Sequence, residues 1–230
     1  MSGRTPRQRR GVEHRTALVE AAARAFDREG YAAASLRSIA AEAGTEPRVL
    51  TSQFRHKDDL ARAVVEEQNR RMVAALDHAL LRHGPLEALI HGSRSIADQM
   101  VGSDPMVRAG VRLSMELGPV DPAIAEEYRG WIEHVGGLFE RAREGGDVAD
   151  RLDPAELGAT FVPYFTGVHT MSAMLTGRSD LHARLVVMWR TVIDAAAPPG
   201  RRLGLHAVTR DAFGEPRPAT GEQPAVAGAA

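Results

Sequence analysis

Cysteine is absent from the 230 residues. That excludes disulfide staples, thiolate metal ligation and a cysteine nucleophile, and it suits a reducing compartment, so a cytoplasmic location is expected. Of the 29 basic side chains only Lys57 is a lysine, a bias that GC-rich codon usage explains without a functional cause. Aromatic residues are scarce, at 5%, with two tryptophans, so each large ring carries information. No run of ~18 apolar residues occurs, and no membrane span is expected. The basic opening MSGRTPRQRRGVEHR leads into no apolar h-region, so no signal peptide is expected. Catalytic signatures are missing as well. The nine histidines form no HExxH spacing, and there is no glycine-rich phosphate loop and no GxSxG elbow. No enzyme, cofactor or metal site is expected.

What is present is helical patterning. Ordinary hydrophobic content, 43%, over this length is enough to bury a core. Strand signals are nearly absent and no internal repeat is found, so the expected fold class is all-α. Leu18, Ala22, Ala25 and Phe26 share one face of a helix predicted over 14–29, stopped by Gly30. Ser35 is placed to cap a short helix, 36–43, whose Leu36, Ile39, Ala40 and Ala43 face inward, with Gly44 at its end. Thr45 is predicted to cap a third helix, with Pro47 in its first turn and Leu50 and Phe54 as its apolar pair. A long helix over 57–81 opens on Asp58 and Asp59, which suit a helix N-terminus. Further helices are predicted near 85–101, 105–117, 122–144, 154–176 and 179–197, separated by glycine and proline breaks. Pro163 interrupts one of them and can kink it.

Charge is unevenly distributed. Residues 1–57 carry eleven basic against six acidic side chains, close to +5, although the whole chain sums to −1. A basic end on a mildly acidic body points to polyanion binding at that end.

Three short helices in under 60 residues, with a tight glycine turn between the second and third, read as a helix-turn-helix. The segments ALVEAAARAFDREGYAAASLRSIAAEAG, VL-x-x-x-F and KDDLARAVVEE resemble the TetR family of bacterial repressors. The resemblance implies an N-terminal three-helix helix-turn-helix head on a helical ligand-binding and dimerisation body. Its expected divisions are a flexible basic arm (1–13), the DNA-binding head (14–56), the body (57–197) and a largely disordered tail (198–230). The implied partners are double-stranded DNA carrying a palindromic operator, a small-molecule effector and a second copy of the chain, bound through the helices near 154–176 and 179–197.

The third helix departs from the usual family pattern of Thr or Ser, Lys and Gly at positions 46–48 and Tyr, an aromatic residue and His at 51–53. Glu46, Pro47, Arg48, Thr51, Ser52 and Gln53 stand there instead. Glu46 repels phosphate, and loss of the lysine removes about one counterion's worth of salt-dependent affinity per subunit. Arg48 and Gln53 can still pair bidentately with guanine and adenine, and Thr51 and Ser52 can bond bases or phosphates. The expected DNA-binding set is therefore Arg37, Thr45, Arg48, Thr51, Ser52, Gln53, Arg55 and Lys57, helped by Arg4, Arg7, Arg9 and Arg10 of the arm. Two readings stand: altered operator specificity, or a disabled head on a sensor of another small molecule, such as an antibiotic or biosynthetic intermediate.

Within the family, DPMVRAGVRLSMELG, EEYRGWIEH, LDPAELGATFV and VVMWRTVI resemble the gamma-butyrolactone receptor branch of actinomycetes. That implies a repressor of secondary metabolism released by a lactone or butenolide, with Trp131 against the ligand. A small lactone with an alkyl tail needs an apolar cavity with a few polar groups. Gln68 and Thr166 are the expected polar contacts, and Met100, Leu113, Phe161, Tyr164, Phe165 and Val168 the expected walls.

Overall fold

The computed structural model describes residues 6–214, with side chains from residue 13 onward; they form ten α-helices and no strand. The head comprises α1 (Pro6–Ala33), α2 (Leu36–Glu42) and α3 (Pro47–Gln53). The body is built from α4 (Lys57–Leu80), α5 (Pro85–Val101), α6 (Met106–Leu117), α7 (Pro122–Glu144), α8 (Pro154–Thr176), α9 (Leu181–Ala196) and α10 (Pro199–Phe213).

Local chemistry sets most boundaries. Ser35 caps α2 in a reciprocal box with Ser38. Asp121 and Asp153 accept the amides of Ala123 and Ala155 at the starts of α7 and α8, each followed by a proline at the first helical position. Asp59 reaches back to the His56 amide at 3.0 Å to open α4. Gly177 and Gly214 end α8 and α10 in left-handed conformation.

Three expectations change. The segment 1–13, expected to be a flexible arm, is helical from Pro6, because its Arg, Gln and Glu residues favour helix and Pro6 suits a first turn. Arg7, Arg9 and Arg10 thus sit on helical backbone, and Arg4 lies outside the described residues. Thr45 does not cap α3. The cap position belongs to Glu46, whose side chain makes no capping bond. The tail expected over 198–230 contains α10, which buries Leu205, Thr209 and Phe213 at helical spacing against the body; residues 215–230 lie outside the described residues.

Two hydrophobic cores form. The body core joins α4, α5, α7, α8, α9 and α10 around Trp189, Phe139 and Phe161. The head core contains Leu18, Phe26, Ile39, Leu50 and Phe54, and it is completed by Leu60 and Val64 of α4, Met106, Ala109 and Leu113 of α6, and Ile124 of α7. The head is therefore not a separate globule ending at residue 56. Gly110 makes this possible: a Cβ there would collide with the Gln68 side chain, so only glycine lets α6 approach α4 this closely.

Candidate functional site

The head presents one polar surface. Leu50 of α3 and Phe54 at its C-cap are buried in the head core, while Arg48, Thr51, Ser52 and Gln53 are exposed. The turn before it contains Gly44 at φ +64°, with the Thr45 amide bonded to Ala40 O at 2.9 Å. Arg37 of α2 and Arg55 after α3 are exposed too, and Thr45 is half-buried.

Details of this surface bear on what it can grip. Arg48 Nε lies 2.6 Å from Glu46 Oε2, with the two side chains 81% and 64% exposed, so water and phosphate can compete for the pair. Thr51 donates its hydroxyl to Pro47 O at 3.1 Å and Ser52 to Val49 O at 2.7 Å. Both hydroxyls keep lone pairs free to accept bonds from a base. Lys57 stands apart from this set. Its ammonium donates to Tyr31 O at 2.7 Å and Ala34 O at 3.0 Å and lies over the Tyr31 ring, clamping α4 to the α1–α2 turn. Arg15, which the sequence did not single out, stacks 4.7 Å over the Phe54 ring and braces the end of α3.

The head is tied to the body by α6. Arg108 pairs with Asp27 at 2.8 Å, Arg112 donates to Asp27 O at 3.0 Å, and Glu116 accepts the Tyr31 amide at 2.9 Å. Gly30, at φ +80°, supplies the left-handed backbone that breaks α1, and the Arg112 guanidinium lies where a side chain at this position would project.

Deep in the body lies an aromatic cavity lined by Leu76, Leu89, Ser93, Ile96, Trp131, Val135, Phe161, Val162 and Phe165. Its free volume of about 10 Å³ holds about one water molecule. Ser93 is its polar member, donating to Ile90 O at 2.8 Å and accepting from Trp189 Nε1 at 2.7 Å. Trp131 is 7% exposed and forms the wall towards an outer groove bounded by Asn69, Val73, Glu126, Glu127 and Gly130.

Of the expected ligand set, the structure brings Trp131, Phe161 and Phe165 together in this cavity. Leu113 instead belongs to the head core, because α6 turns that face towards α1. Tyr164 is exposed, one residue past Pro163 on the outer side of α8. Met100 is buried but lines a different groove, against α6 and α8. Gln68 is buried at the α4–α6 crossing with its amide against the Met72 sulfur. Thr166 bonds the Tyr128 hydroxyl, and Val168 packs half-buried on the body core. Leu76, Leu89, Ser93, Ile96, Val135 and Val162 were not anticipated, since an aliphatic residue at helical spacing looks the same whether it fills a core or lines a cavity. Among the described residues no group of three or more His, Asp or Glu side chains could hold a metal ion, and no helix is long and apolar enough to cross a membrane.

A short amphipathic helix offered on a glycine turn, and mounted on an all-helical body, defines a helix-turn-helix protein. Residues 18–64 match the bacterial regulatory proteins of the tetR family, and residues 83–198 match the tetracyclin repressor-like C-terminal domain. The chain belongs to the TetR family of transcriptional regulators, which bind operator DNA and small molecules and act as dimers.

It is 30% identical over 197 residues to the A-factor receptor protein of Streptomyces griseus, covering 84% of this chain and 67% of that one. Among solved structures, a gamma-butyrolactone receptor (ArpA-like) aligns at TM-score 0.74 and 28% identity, over 90% of this chain and 100% of that one. CprB from Streptomyces coelicolor, solved with its operator sequence, aligns at TM-score 0.72 and 29% identity, again over 90% and 100%.

Proposed function

We propose that this chain is a homodimeric repressor of secondary metabolism that leaves its operator when a lactone-type signal, a gamma-butyrolactone or butenolide, enters the aromatic cavity beside Trp131. The observation that carries the reading is the two-sided α3, which buries Leu50 and Phe54 and turns Arg48, Thr51, Ser52 and Gln53 outward. A helix of this length reads too few bases alone; two of them roughly 34–36 Å apart read a palindrome. Tyr164, Met171 and Leu175 of α8 and Val187 of α9 are exposed large apolar side chains, as a partner-facing surface requires.

The route from cavity to head runs along α4. Leu76 lines the cavity, and Lys57 at the other end of the same helix clamps the head. With room for about one water, the cavity accepts a lactone only if its walls part, which displaces the Leu76 end of that lever. A coupling of ~1–3 kcal/mol changes operator affinity by roughly 5- to 150-fold.

One observation favours a second reading. Glu46 pairs with Arg48 and sets a negative charge at the start of α3, which suits a weakened or silent head on a sensor of another small molecule. Sequencing genomic fragments retained by the purified dimer, with and without a gamma-butyrolactone, tests both. A retained palindrome that the lactone releases supports the first reading. No retention, or salt-sensitive retention without a shared sequence, overturns it.

A further inference from the structure

A groove of about 530 Å³ is lined by residues from the end of α1, α6 and α8, and it shares no lining residue with the aromatic cavity. Its apolar walls are Met100, Val111, Met115 and Met174. Its charged members are Asp27, Arg108, Arg112, Glu116 and Arg178, which leaves one positive charge unbalanced. Arg108 and Arg112 are engaged by Asp27 and Glu116. Arg178 is not: its Nε is buried without a hydrogen-bond partner, and its backbone is held at φ +73°. Beside it His169, 4% exposed, lines the groove and makes no hydrogen bond among the described residues. A buried donor left without a partner is costly, and the cost is removed when a ligand supplies the acceptor.

We propose that this groove is a second ligand site, taking a small amphipathic anion whose carboxylate meets Arg178 and His169 and whose alkyl chain lies along the methionines. The volume matches that of a small-molecule site. Desolvation and then the neighbouring Arg108 pull the Arg178 guanidinium below its ordinary pKa, a direction that a bound carboxylate would reverse. Occupancy also bears on the head, because the anion competes with Asp27 for the cations that pin α1 to α6. That last consequence rests on the repressor reading; the binding does not.

Octanoate titrated into the purified full-length dimer by calorimetry tests the site, with octanol and inorganic phosphate as controls. Saturable binding of one octanoate per chain is expected, with octanol and phosphate at least about tenfold weaker. Arg178→Asn, which keeps a residue tolerant of left-handed backbone, should weaken octanoate by about tenfold or more. Ala173→Phe, which fills the groove without changing charge, should do the same. No octanoate binding, equal binding of octanol or phosphate, or undiminished binding in a normally melting Arg178→Asn protein overturns the proposal. So does displacement of octanoate by a gamma-butyrolactone, which would assign both to the aromatic cavity. If a lactone fails to bind at all, the octanoate result stands by itself.

Discussion

Arg108 of α6 closes on Asp27, in the turn of α1 that precedes the Gly30 break, Nη2 to Oδ2 at 2.8 Å, while its Nη1 caps the end of α5 at Gly102 O, 2.6 Å away. One guanidinium thus joins the head, the α5 terminus and the body. The pair is largely buried, with side chains 16% and 25% exposed, so it is shielded from the screening that makes surface pairs weak. Asp27→Ala should lower unfolding stability by about 1–3 kcal/mol, since it leaves Arg108 without its charged partner. It should also reduce the effector-dependent change in operator affinity towards unity. Thermal melts and DNA titrations with and without effector check the two effects separately.

On the recognition helix, Arg48→Ala should cut specific operator affinity by roughly 1–3 kcal/mol, about five- to 150-fold, while barely moving the melting temperature. Leu50→Ala does the reverse, costing about 2–5 kcal/mol of stability because that side chain is fully buried. Unchanged affinity in Arg48→Ala would shift the balance to the silent head.

Glu46→Ala tests the pair at the start of α3. It frees Arg48 and removes a charge that faces phosphate, and it forfeits no capping bond. Operator affinity should rise by a few-fold, about 0.5–1 kcal/mol, and salt dependence should steepen by about one counterion. Gel-shift titrations at two salt concentrations read both.

In the cavity, Trp131→Ala should abolish release by a lactone and leave operator binding in place, because Trp131 packs in the body core rather than the head core. Ser93→Ala is predicted to cost about 1–3 kcal/mol of stability, for it strands the buried Trp189 Nε1. Operator release assays and denaturant unfolding supply the measurements.

Acid should weaken the fold through His169. Burial, and then Arg178, lower its pKa from 6.5 to about 4. Between those values the unfolded chain binds a proton that the folded chain refuses. The contribution is therefore complete above pH 6.5 and declines as pH falls towards about 4, by up to about 3 kcal/mol. His169→Gln should flatten stability against pH in that window. Asp180, held down to about 2 by Ser172 and Thr176 and then by Arg184, acts lower, its contribution being lost only as pH falls below 3.8.

The chain's local chemistry determined the helices and the class of the head. Ser35, Asp121, Asp153, Gly30 and the prolines act through neighbours a few residues away, and the periodicity of Leu18, Phe26, Ile39, Leu50 and Phe54 follows from one helical turn repeating. Those signals are readable in order along the chain. The family resemblance places Trp131 against a ligand, with Phe161 and Phe165 among six expected walls, and packing brings these three rings to one cavity.

Other features depend on partners far away in sequence. Leu113 and Leu76 carry the same aliphatic pattern, yet one completes the head core and the other lines the cavity, a choice made by how α6 and α4 cross at Gly110 and Gln68. Lys57 looks like a phosphate ligand until the carbonyls of Tyr31 and Ala34 are seen around it. Leu205 and Phe213 sit in a segment rich in glycine and arginine whose helix pays off only against α5 and α9. The encounter of Arg178 with His169 and Asp27 is likewise set by packing, since desolvation and unpaired donors are properties of a neighbourhood, and a neighbourhood exists only once the chain has folded.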